Sequence, residues 1–62
     1  MDFQIPDMSC GHCAGVITQT VQQLDAHATV IIDLPTHRVT VQTTQDRQTV
    51  AQALAEAGYP PN

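Results

Sequence analysis

Residues 28–44, ATVIIDLPTHRVTVQTT, decide the fold. In the first half, Val30, Ile32 and Leu34 alternate with Ile31 and Asp33, which makes one side of an extended segment apolar. Pro35-Thr36-His37 is turn chemistry. From Arg38 to Thr44 the alternation resumes, with Val39 and Val41 inward and Thr40 and Gln42 outward. Two alternating runs joined by a few turn residues predict an antiparallel hairpin.

Outward from the hairpin the period changes. Upstream, from about His12 to Asp25, the residues Cys13, Val16, Ile17, Thr20, Val21 and Leu24 recur at helical spacing and form one stripe, with Gly15 a mild weakness. Downstream, Val50, Ala51, Leu54 and Ala57 form a second helical stripe. Asp46 is the expected N-cap, Thr44 its rival, and Gly58 the stop. At the start, residues 2–7, DFQIPD, put Phe3 and Ile5 on one face of a short strand ended by Pro6. The order is β-α-β-β-α, followed by the stub Tyr59-Pro60-Pro61-Asn62. This is the α+β, ferredoxin-like βαββαβ plan: a four-stranded antiparallel sheet with two helices on one face. The last strand should be very short and confined to an edge, because proline cannot donate to a ladder.

Composition narrows the function. The chain has 62 residues, enough for a single domain spanning 1–62. A chain this short buries only about 60% of its unfolded surface, so a deep catalytic cleft is not expected, and the reading is a binder or carrier, not an enzyme. The formal charge is −4, Arg38 and Arg47 are the only fixed cations, and there is no lysine. Nucleic acid is therefore not an expected partner. An acidic surface suits docking to a protein face of complementary charge. There is no leader-like start and no run of roughly 20 apolar residues, so no membrane insertion is expected and the reading is cytoplasmic. In a reducing compartment two cysteines are better ligands or catalysts than a structural staple.

Those cysteines, the only two, lie in Met8-Ser9-Cys10-Gly11-His12-Cys13, between the first strand and the first helix. Two intervening residues let both sulfurs converge, and a helix start favours thiolate over thiol. Three chemistries use such a pair. A closed zinc site needs four ligands, and no second ligand pair is visible: His27 and His37 read as surface residues at the far ends of the first helix and of the hairpin, with no role. A dithiol redox site usually sits in a larger fold with an apolar flank for its substrate. A soft monovalent ion, Cu(I), is satisfied by two thiolates and leaves room for an incoming third.

The stretch Met8-Ser9-Cys10-Gly11-His12-Cys13 resembles the Met-x-Cys-x-x-Cys motif of heavy-metal-associated domains. These include small bacterial copper chaperones and the N-terminal domains of copper-exporting P-type ATPases. The resemblance covers nearly the whole chain: the element order matches the family's ferredoxin-like fold, and Ala57-Gly58-Tyr59 is similar to its Ala-Gly-Tyr. It implies that Cys10 and Cys13 ligate Cu(I), that Met8 is an apolar anchor under the loop, and that Tyr59 neighbours the site without binding metal. Two positions depart from the pattern. Asp7 stands where glycine is common, adding a negative charge near the sulfurs, and the last strand is short and proline-rich.

The resemblance implies a cytosolic copper carrier that passes Cu(I) by thiolate exchange to the metal-binding domain of a copper-transporting P-type ATPase. Two copies sharing copper through four thiolates would give a metal-bridged homodimer. The alternatives are a carrier of mercury, zinc or cadmium, a thiol–disulfide exchange protein, and a sensor domain of a larger protein. His12, between the two sulfurs, reads as a solvated side chain. Its sharper reading is an accessory ligand, a tuner of the loop's charge, or a partner contact.

Overall fold

The hairpin forms as the alternation dictates. The computed structural model describes residues 1–62. Strands β1 (Asp2–Gln4), β2 (Thr29–Asp33) and β3 (Arg38–Gln42) alternate with helices α1 (Gly11–Leu24) and α2 (Arg47–Glu56), in the order β1-α1-β2-β3-α2. The sheet is antiparallel with strand order β1-β3-β2. Val30 faces Val41 and Ile32 faces Val39 across the hairpin, while Phe3 pairs with Val39 on the other side of β3.

One apolar layer holds the helices to the sheet. Phe3, Ile5, Val39 and Val41 from the sheet side meet Ile17 and Val21 of α1 and Val50 and Leu54 of α2 in a single cluster. The outward face carries Asp2 and Thr40, whose side chains bond each other at 2.7 Å, and the exposed Ile31. No helix is long and apolar enough to cross a membrane.

Helix α2 ends where the sequence supplies the chemistry. Asp46 caps α2, its carboxylate accepting the Thr49 N–H at 2.7 Å. The Thr49 side chain first, and that N–H bond second, hold the Asp46 carboxyl below its ordinary value. At the other end Gly58 has φ 96, a left-handed backbone that glycine adopts without penalty. The Gly58 N–H bonds the Ala55 carbonyl at 3.0 Å and the Tyr59 N–H bonds the Leu54 carbonyl at 2.9 Å. This paired pattern is a Schellman cap, and it turns the chain sharply back toward the sheet.

The sheet has three strands, not the expected four. Tyr59 spends its N–H on the helix cap, and Pro60 and Pro61 have none to offer. Only Asn62 donates to the edge, to the Gln4 carbonyl at 2.8 Å. The stub thus lies beside β1, where a fourth strand would pair, held there by a single bond.

The core is thin, so individual core residues matter. Leu54→Ala removes a side chain with no exposed surface. It should cost about 2–5 kcal/mol and lower the thermal midpoint by more than about 10 °C. Ile31→Ala, at a site 57% exposed, should change stability by less than about 0.5 kcal/mol. Urea denaturation followed by circular dichroism checks both.

Candidate metal centre

Four segments meet at one end of the sheet. Strand β1 runs into the loop of residues 5–10, which feeds the start of α1. Because β1 is antiparallel to β3, with Gln4 opposite Arg38, the β2–β3 turn lies at this same end. The Schellman cap brings Tyr59 there as well, where it packs against the core beside Cys13.

Cys10 is the residue preceding α1, with extended backbone (φ −151, ψ 169), and its side chain makes no capping bond. Its sulfur is therefore free, and the residue is exposed. Cys13 follows in the first helical turn, half-buried against the core. Both are free thiols, and their sulfurs stand 3.2 Å apart in hydrogen-bond contact.

The surroundings favour thiolate at Cys13. Its thiol pKa falls from 9.0 to about 7. The Tyr59 hydroxyl is the largest cause, followed by the Cys10 thiol and the Ser9 backbone; burial opposes them. Reciprocally, Tyr59 is pushed above its ordinary value, first by its contact with Cys13 and then by burial, with the charges of Cys13, Cys10 and Asp7 adding to the effect. Asp7, the departure from the motif, is thus electrostatically felt at the site. The positive end of α1 acts in the same direction on thiolates placed there.

Met8 is fully buried in the core. Its N–H bonds the Ile5 carbonyl at 3.1 Å. Its own carbonyl accepts from the His37 ring nitrogen Nδ1 at 2.7 Å. A carbonyl only accepts, so that nitrogen carries the proton. His37 was expected at the far end of the hairpin with no role. Instead it is half-buried and bonded to the metal loop, because antiparallel pairing of β1 with β3 folds the hairpin turn back onto residues 5–8. His27 is exposed at the opposite end of α1, its N–H bonded to Asp25.

His12 is exposed in the first turn of α1. No group of three or more His, Cys, Asp or Glu side chains is gathered anywhere in the fold, so His12 does not join the two sulfurs as a preformed third ligand. The arrangement offers two soft donors, one of them poised as thiolate near neutral pH. It can hold a thiophilic ion with open coordination, or exchange with another sulfur.

Reactivity tests this electrostatic reading. With Cys10 replaced by serine, alkylation of Cys13 by iodoacetamide should rise with pH and level off above a midpoint near neutrality, somewhat above 7 because one of the supporting donors is altered. Adding Tyr59→Phe removes the strongest stabiliser of the thiolate and should move the midpoint further up, toward 9.0. An unmoved midpoint would assign the shift to the helix start alone.

Comparison with known proteins agrees with this geometry. The heavy-metal-associated domain matches residues 2–60. Curated protein sequences give no match. Among solved structures, a gold binding protein is 45% identical with a TM-score of 0.97, covering 100% of this chain and 95% of the other. The copper chaperone Atx1 from Synechocystis PCC6803, in a trimeric form, is 34% identical with a TM-score of 0.98, covering 100% and 98%. Protein Atu1203 from Agrobacterium tumefaciens is 35% identical with a TM-score of 0.88, covering 100% and 97%. The match spans almost the whole sequence and carries the two-cysteine loop with it: the chain belongs to the heavy-metal-associated domain family.

Proposed function

We propose that this protein is a cytoplasmic Cu(I) carrier, binding the ion through Cys10 and Cys13 and handing it to the metal-binding domain of a copper-transporting P-type ATPase. The observation that carries the reading is the pair of sulfurs 3.2 Å apart on a loop whose outer cysteine is exposed, with no third ligand gathered around them. Two thiolates satisfy Cu(I) and leave zinc short of its usual four ligands. The similarity to a copper chaperone structure supports the same ion.

Transfer then needs no redox step. An incoming partner thiolate adds to the open coordination of Cu(I), a Cu–S bond to Cys10 or Cys13 breaks, and a second exchange completes the transfer. Copper stays monovalent throughout, and each departing sulfur leaves as thiolate. Cys13, with a thiol pKa of about 7, is about half in that form at neutral pH, far more than an ordinary thiol. Stalled halfway, with a second copy of this chain as the acceptor, the same exchange gives a homodimer bridged through four thiolates.

A second reading keeps the site and changes the cargo to another soft ion; the 45% identity to a gold binding protein favours it. Anaerobic titration of reduced protein separates the two. Cu(I), Au(I) and Zn(II) are added in turn against a competing chelator. The carrier reading expects one Cu(I) per chain, retained under strong competition, with affinity falling more than about a hundredfold in Cys10→Ser and in Cys13→Ser, beyond the effect of losing an outer partner. Tight Zn(II) with weak Cu(I) overturns it, and Au(I) outcompeting Cu(I) supports the second reading. In the same assay His12→Ala should leave Cu(I) affinity within about twofold, in keeping with its exposed position outside any ligand cluster.

A further inference from the structure

The β2–β3 turn contains a residue in a costly conformation. His37 has φ 57, and it is the only non-glycine residue with positive φ. Glycine adopts that backbone freely, whereas a side chain there is uncommon and persists where its surroundings hold it. Two bonds hold it. The His37 carbonyl accepts the Ile5 N–H at 2.8 Å, and the His37 ring Nδ1 donates to the Met8 carbonyl at 2.7 Å. One turn residue thus grips both ends of the segment Ile5–Met8. The neighbouring Thr36 carbonyl adds a third tie, accepting from the Gln4 side-chain amide at 2.6 Å.

We propose that His37 is a positioning residue of the metal loop: its ring fixes the Met8 carbonyl, and with it the backbone from which Ser9 and Cys10 lead into α1. The inference rests on the carrier reading only for its consequence, the holding of metal. The grip itself is a property of the metal-free protein. A loop already held in its binding shape loses less freedom when the ion arrives, so affinity is higher and release slower. The other anchor of Met8, its buried side chain, fixes depth; the carbonyl bond fixes the orientation of the peptide that follows.

Two substitutions separate this role from a merely structural one. His37→Gly removes the ring and relieves the backbone, so the thermal midpoint should stay level or rise. His37→Asn keeps an N–H donor at the δ position and tolerates left-handed backbone, so it should restore the bond. In the metal-free protein, amide exchange at Met8 and Ala14, whose N–H groups bond the Ile5 and Cys10 carbonyls on either side of the loop, should speed up about three- to tenfold in His37→Gly, the size of one net hydrogen bond, and return toward wild type in His37→Asn. Exchange in β3 and α2 should not change. The Cu(I) dissociation constant should rise by a similar factor in His37→Gly. Unchanged loop exchange in metal-free His37→Gly overturns the role of His37, whatever the metal does. Faster loop exchange with unchanged Cu(I) affinity in His37→Gly overturns its consequence for binding. Wild-type protein that does not retain Cu(I) overturns the carrier reading, while the exchange data still decide the grip.

Discussion

The pairing of β1 with β3 is the constraint on which the site depends. It involves three residue pairs, from Asp2–Thr40 to Gln4–Arg38. Those pairs fix the direction of β1, so the loop after Gln4 must leave at the end of the sheet where the β2–β3 turn lies. The same pairing buries Phe3 against the helices and makes β1 the edge to which Asn62 bonds. A one-residue slip would turn Phe3 outward and carry the loop away from its supports.

On that frame the two ends of the helices do different chemistry. The start of α1 gives the sulfurs a positive field and leaves Cys10 free of any capping duty. The end of α2 delivers Tyr59 through backbone bonds that only a left-handed residue at position 58 permits without strain. Tyr59 in turn is the largest contributor to the lowered Cys13 pKa. A glycine's backbone freedom is thereby linked to the ionisation of a cysteine 45 positions earlier in the chain.

Much of this was legible in the sequence, because periodicity reports burial directly. Ile17 and Val21 on one helix, and Val50 and Leu54 on the other, are the residues that the stripes placed inward, and all four are buried. The Asp46 cap and the Gly58 stop were legible because each rests on a single local bond pattern. The ends of the strands were less so: Ile5 continues the buried face of β1, and its N–H meets the His37 carbonyl in the register of the β1–β3 ladder, one residue beyond the regular strand. The fourth strand fails for a countable reason, the lack of N–H donors between Tyr59 and Asn62. His37 was missed because its importance is not local. Pro35-Thr36-His37 reads as an exposed turn, and only the placement of β1 beside β3 puts its ring against Met8. The signal that could have found it was the strand order of the ferredoxin-like plan combined with a non-glycine residue at the end of a tight turn.

The small size of the domain bears on how such a loop can be built. Ten of 62 residues are buried, so little packing is left over to clamp a surface loop. A closed shell of ligands would hold the loop through the metal, but it would also oppose release. Here the loop is held through its backbone instead. Met8 is anchored by its side chain below, by Ile5 before it and by His37 across from it, while the side chain of the exposed Cys10 bonds only Cys13. Restraint falls on the residues leading into the site and freedom on the sulfurs themselves. In the carrier reading that division lets a two-coordinate ion be held firmly enough to travel and still be reached by a third thiolate.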